Sequence, residues 1–191
     1  MTKVGLYFGT FNPVHVGHLI IANYMADNTA MDEVWLVVTP QNPLKQKSSL
    51  LADYHRLALV RIGIEDNLKL KASDIEFHLP VPNYTATTLA YLKDKYQDKE
   101  FSLIMGEDNL VHFKKWKNSD KILEHYGLIV YPRPGQMDVE LDNHDNITYV
   151  KSPLLDISAT FIRNAIKQGR SIKYLVPESV ERQIESKGLF L

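Results

Sequence analysis

The sequence predicts an α/β fold built on a doubly wound, mostly parallel sheet, and three observations carry that reading. Short, continuous apolar runs recur along the chain, as strands covered on both faces require. Between them lie stretches whose apolar residues fall three and four apart, the spacing of an amphipathic helix. The two kinds of segment alternate regularly, and such alternation builds parallel sheets through right-handed crossovers.

Each element has its own warrant. Val4-Gly5-Leu6-Tyr7-Phe8 reads as the first strand, and Leu19, Ala22, Met25 and Ala26 mark the helix after it. Asp32 to Thr39 is a second buried strand. A polar loop rich in Pro, Asn and Lys follows from Pro40 to about Leu51, and Leu57, Val60 and Ile64 then mark a helix. Leu68 to Ala72 reads as a short strand, and Thr85 to Tyr96 as a helix with Leu89, Leu92 and Tyr96 on one face. Strands follow at Phe101–Met105, ending at Gly106, at Gly127–Tyr131 and at Ile147–Val150. Ser158 can cap a helix running to about Gln168, with Gly169 as its stop. Pro177 and Gly188 frame the last helix. No repeat, low-complexity tract or linker interrupts the series, so residues 1–191 are expected to form a single domain.

Composition excludes several classes. A 45% apolar and 24% charged chain is that of an ordinary globular protein. The net charge of −1 offers no basic field for a nucleic-acid polymer. No apolar run approaches the roughly 20 residues of a membrane span, and no signal-like segment opens the chain. The absence of cysteine removes disulfide and thiolate chemistry. A cytoplasmic protein is expected; the oligomeric state, monomer or homo-oligomer, stays open.

The chemistry concentrates in Phe8-Gly9-Thr10-Phe11-Asn12-Pro13-Val14-His15-Val16-Gly17-His18, which joins the first strand to the first helix. Two histidines three apart share one side of the helix's first turn. The helix N-terminus adds unpaired N–H groups and partial positive charge. Gly9 and Gly17 are expected to let a phosphate or base approach the backbone. The profile is that of a nucleotide-phosphate site, with metal ligation or plain structural histidines as the alternatives. Neither GxxxxGK[ST] nor GxGxxG is present.

Ligands of doubly wound sheets bind beyond the carboxyl ends of the strands. There Gly106 permits close approach, and Asp108 can accept a hydrogen bond from a ribose hydroxyl or cap the helix that follows. Asp156-Ile157-Ser158-Ala159-Thr160-Phe161-Ile162-Arg163 opens another helix, with hydroxyls at its start and an arginine fork suited to phosphate.

The histidine motif resembles the (T/H)xGH signature of the nucleotidyltransferase superfamily, and the Ser158–Arg163 segment resembles its ISxTxIR signature. Asn83-Tyr84-Thr85-Ala86-Thr87-Thr88-Leu89, Ile104 to Leu110, Phe113-Lys114-Lys115-Trp116 and Tyr131-Pro132-Arg133-Pro134-Gly135 are similar to four middle segments of the nicotinate-nucleotide adenylyltransferases. With Pro43 and Lys45 in the first long loop, the likeness runs almost end to end. Asn12 replaces the usual Asp, Phe8 a usual glycine, and Lys117 a frequent aromatic.

The resemblance implies a Rossmann-like nucleotidyltransferase fold and AMP transfer from ATP to nicotinate mononucleotide, giving deamido-NAD and pyrophosphate in NAD biosynthesis. His15 and His18 would meet charge gathering at the α-phosphate, and Lys45 and Arg163 would hold the departing pyrophosphate. Gly9, Thr10, Phe11, Gly106, Asp108, Ile157, Ser158 and Thr160 would line the ATP side. Thr85, Trp116 and Arg133 would form the acceptor side, Trp116 by stacking on the pyridinium ring. No carboxylate cluster marks a dedicated metal cage, so Mg²⁺ is expected to arrive with ATP. A transferase using a different phosphate acceptor and a non-catalytic nucleotide sensor remain as alternatives.

Overall fold

The first strand to be made becomes the middle of the sheet. In the computed structural model, which describes residues 1–40, 50–135 and 144–191, β1 (Thr2–Gly9) pairs with β2 (Glu33–Val38) on one side and with β4 (Lys99–Gly106) on the other. β3 (Leu70–Ser73) extends the sheet beyond β2, and β5 (Gly127–Tyr131) and β6 (Ile147–Tyr149) extend it beyond β4. The order is β3-β2-β1-β4-β5-β6, and every pair of these neighbours is parallel. That is the doubly wound order whose reversal point lies between β1 and β4.

Alternation along each strand feeds two cores. On β1 and β2, Tyr7, Val34, Leu36 and Val38 face the helices α1 (Val16–Asn28), α2 (Asp53–Gly63), α6 (Ala159–Lys167) and α7 (Glu178–Lys187). Val4, Leu6, Trp35 and Val37 face the other way, toward α3 (Thr85–Lys95) and α5 (Ser119–His125). Strands covered on both faces need the continuous apolar runs that the sequence shows.

Several details differ from the sequence expectations. A 3₁₀ turn at Ile75–His78, a second 3₁₀ turn at Phe113–Lys115 and α5 were not read as elements, and the helix expected beyond Asp108 is the single turn α4 (Glu107–Leu110) that already contains it. All are too short for helical periodicity to stand out. Pro177 precedes the last helix as its cap, and Gly169 (φ +64°) and Gly188 (φ +57°) supply the expected left-handed stops.

Candidate active site

A cavity of about 490 Å³ opens at the carboxyl ends of β1 and β5. Thr10, Phe11, His15, His18, Arg133, Ile157, Ser158, Thr160 and Arg163 all line it. The start of α1 and the start of α6 therefore face one space although about 140 residues of chain separate them.

His15 is the residue that caps α1, and His18 lies in its first turn. Their rings stack with centroids 3.7 Å apart. The backbone N–H of His15 donates to His18 Nδ1 at 3.3 Å, which puts the proton of a neutral His18 ring on Nε2, in a ring that lines the cavity. Phe11 backs this ring edge-on at 5.0 Å. His15 is buried, and burial first, then the charge of Arg133, lowers its pKa to about 4. The charge expected of His15 is thus suppressed by its surroundings: at pH 7 it offers a neutral imidazole, and its Nδ1 has no partner.

The glycines make room for these rings, and Gly17 also lines the cavity. A methyl group at Gly9 would lie 2.9 Å from the Phe11 ring, and one at Gly17 would lie 3.0 Å from His15 Nδ1. The first contact would force the ring to shift, and the second would press on the imidazole. Gly9 itself is absent from the cavity lining. Of the α1 N–H groups, that of Val16 is already taken by the Leu175 carbonyl at 2.9 Å.

Opposite, Ser158 caps α6, accepting from the Phe161 N–H at 3.2 Å. Arg163 spans the gap, donating to the Asn12 carbonyl at 2.8 Å and to Thr160 Oγ1 at 3.2 Å. Burial lowers its pKa, yet a guanidinium remains charged at any physiological pH. Lys45 lies outside the described residues. The ends of its loop are nonetheless fixed: buried Arg56 donates to the carbonyls of Thr10 (2.5 Å), Thr39 (3.0 Å) and Leu51 (2.9 Å), while Asn12 Oδ1 accepts from Leu51 N–H at 3.0 Å. Arg56 was not anticipated, because an arginine on a helix normally reads as solvated surface.

Gly106 and Asp108 do not line the cavity. Asp108 pairs with Arg133 (Nε to Oδ1, 3.3 Å), and a methyl group at Gly106 would run into both side chains. Asp108 thus lies within α4 rather than capping it, and one of its carboxylate oxygens anchors Arg133. That arginine, expected on the acceptor side, reaches the histidine cavity instead, lying over the ring of Tyr131 at 5.3 Å.

Thr85 and Trp116 are not among the cavity residues either. Thr85 begins α3, and half-buried Trp116 packs on Phe113 with ring centroids 5.6 Å apart. Lys117, the departure noted in the sequence, places its Nζ 4.4 Å from the centre of the Tyr84 ring and so ties the Trp116 segment to the start of α3. Sequence reasoning also passed over Tyr7 and Tyr131, whose hydroxyls meet at 3.2 Å on the cavity floor. Read along a strand, each is an ordinary core aromatic.

Residues 6–165 match the family model described as cytidylyltransferase-like, which makes the protein a nucleotidyltransferase by class. It is 55% identical over 185 residues to a probable nicotinate-nucleotide adenylyltransferase of Cytophaga hutchinsonii, covering 97% of this chain and 96% of that relative. A probable nicotinate-nucleotide adenylyltransferase of Flavobacterium psychrophilum is 54% identical over 190 residues, 98% of each chain. The chain belongs to the nicotinate-nucleotide adenylyltransferase family. The Plasmodium falciparum nicotinic acid mononucleotide adenylyltransferase complexed with NaAD superposes with a TM-score of 0.84 over 100% of this chain and 98% of that one; at 19% identity the likeness is one of fold.

Proposed function

We infer that this protein transfers AMP from ATP to nicotinate mononucleotide, releasing pyrophosphate and forming nicotinate adenine dinucleotide, and that one domain spanning residues 1–191 does so. The observation that carries the reading is the stacked histidine pair set across one cavity from the start of α6. The acceptor's 5′-phosphate is ionised near neutral pH, so no side-chain base is required. One of its oxygens forms a bond to the α-phosphorus while the bond from that phosphorus to the β-phosphate oxygen breaks. The protein contributes alignment and charge compensation.

In this reading His18 donates from Nε2 to an α-phosphate oxygen, held in register by the His15 N–H. His15 supports that ring by stacking and adds a dipole. Arg163 and Lys45 receive the β- and γ-phosphates. Thr10 and Phe11 shape the turn beneath the phosphates, and Ile157, Ser158 and Thr160 border the nucleoside. Thr85 and Trp116 serve the acceptor's ring side. Among the described residues no three His, Asp or Glu side chains converge to hold a cation. Mg²⁺ bound to the ATP oxygens would offset phosphate charge during transfer. We place the work in the cytoplasm, in keeping with a cysteine-free chain; among the described residues no helix is long and apolar enough to cross a membrane.

Incubation with ATP, Mg²⁺ and a panel of phosphate acceptors, followed by measurement of pyrophosphate, tests the reading. Nicotinate mononucleotide should give the highest kcat/KM. Preference for another acceptor would reassign the substrate, and ATP binding with no pyrophosphate from any acceptor would leave a sensor.

A further inference from the structure

Tyr7, near the end of β1, and Tyr131, the last residue of β5, reach over the intervening β4 to each other at the point where the strand order reverses. Both are almost wholly buried, at 6% and 3% exposure, yet both line the cavity. Their hydroxyl oxygens are 3.2 Å apart. Two hydroxyls carry two protons, and their mutual hydrogen bond uses one. The other proton needs an acceptor, because a buried hydroxyl left without one costs free energy. The cavity is the polar space that both groups border.

The surroundings decide which hydroxyl faces the ligand. Burial raises both phenols and the charge of Arg133 acts against that rise at each, but it is over the Tyr131 ring, 5.3 Å from its centre, that the guanidinium lies. The hydrogen bond between the hydroxyls can run either way; with the guanidinium beside it Tyr131 is the readier donor to an anion, and Tyr7 then donates to its oxygen from behind. The cavity that receives this proton also contains Arg133, Arg163 and His18, so an anionic oxygen is the acceptor that the site attracts.

We propose that the Tyr7–Tyr131 hydroxyl pair is a two-step donor relay in which Tyr131 hydrogen-bonds a phosphate oxygen of bound ATP and Tyr7 positions it. This rests on the reading of the cavity as the ATP site and adds a ligand contact to it. Tyr7 also meets the His18 ring edge-on, with centroids 6.2 Å apart, so one aromatic floor carries both donors.

The test removes single oxygen atoms. Tyr131→Phe, Tyr7→Phe and the double variant keep ring volume, and equal melting temperatures would establish that the fold is retained. ATP affinity is measured calorimetrically without acceptor, and kcat and KM are measured with nicotinate mononucleotide. Tyr131→Phe should weaken ATP binding about tenfold, the scale of one hydrogen bond to a charged group, and leave the acceptor KM within about twofold. Tyr7→Phe should cost roughly two- to fourfold, and the double variant no more than Tyr131→Phe, because a relay without its terminal donor has nothing left to lose. ATP affinity within about twofold of the parent in Tyr131→Phe overturns the proposal, as does a greater loss in Tyr7→Phe than in Tyr131→Phe. A parent protein that binds ATP but makes no dinucleotide would overturn the transferase reading alone, since the calorimetric comparison still decides the relay.

Discussion

Neighbours three residues apart act differently in this site. A neutral His18 ring carries its proton on Nε2 because a backbone N–H occupies its Nδ1, whereas His15 is stripped of charge by burial and by Arg133. His18→Ala should therefore lower kcat by about 10²–10³-fold, the scale of one preorganised donor, with little change in acceptor KM; near-parental turnover of the folded variant would take His18 out of the mechanism. Arg163 already spends part of its fork on Asn12 and Thr160, so its phosphate contact and its bridging role share one planar group. Arg163→Lys keeps charge but cannot serve both. It should raise the KM for ATP at least about tenfold, and unchanged ATP saturation would make Arg163 a strut only. These residue types were legible in the sequence, since the motif spacing named both histidines and Arg163. The protonation of His15 was not, because it depends on burial in the folded cavity and then on Arg133, which lies more than a hundred positions away in the chain.

Element by element, long periodic or continuous segments could be read and single turns could not. Helix α6 was legible from Ser158 and Gly169 because a cap and a left-handed stop are local chemistry. The single turn of α4 was not, and the sequence does not show that the Asp108–Arg133 pair fills the space over Gly106. Gly9 and Gly17 repeat the lesson, since the rings that fill the space above them are a few residues away yet fold back only in three dimensions. The proposed acceptor side draws on the segment from Phe113 to Lys117 and on the start of α3, which Lys117 over Tyr84 joins. Trp116→Ala should raise the KM for nicotinate mononucleotide about 5–30-fold and leave that for ATP nearly unchanged, since ring stacking is worth roughly 1–2 kcal/mol. A core-only Trp116 would instead lower the melting temperature with normal KM, so acceptor titration and thermal melting on one preparation separate the two.

Across the whole molecule, two buried titrating side chains set opposing pH dependences of stability. His15 has a folded pKa of about 4, below the ordinary 6.5. The unfolded chain therefore binds the extra proton between those values, and stability falls as pH drops through them. Glu76 is buried at 2% exposure; burial raises its pKa despite the hydrogen bond from Thr88 Oγ1 at 2.7 Å, and its Oε2 has no partner. The folded protein holds that proton longer than the unfolded chain, so stability falls as pH rises above about 4.5 toward the raised value. Glu76→Gln should stabilise the protein at pH 7 and leave a steeper loss on acidification, while His15→Asn should flatten that loss; melting curves at pH 4 to 8 for the three proteins read both slopes. The central place of β1 also has a consequence for synthesis. One edge of that strand can join β2 soon after both leave the ribosome, but the other waits for β4, whose first residue follows Gly9 by 90 positions. At roughly 5–20 residues per second the wait is about 5–20 seconds. Throughout it an apolar edge that the finished enzyme never shows is open to neighbouring nascent chains, so the cost of putting the nucleotide site at mid-sheet falls on the cell's chaperones.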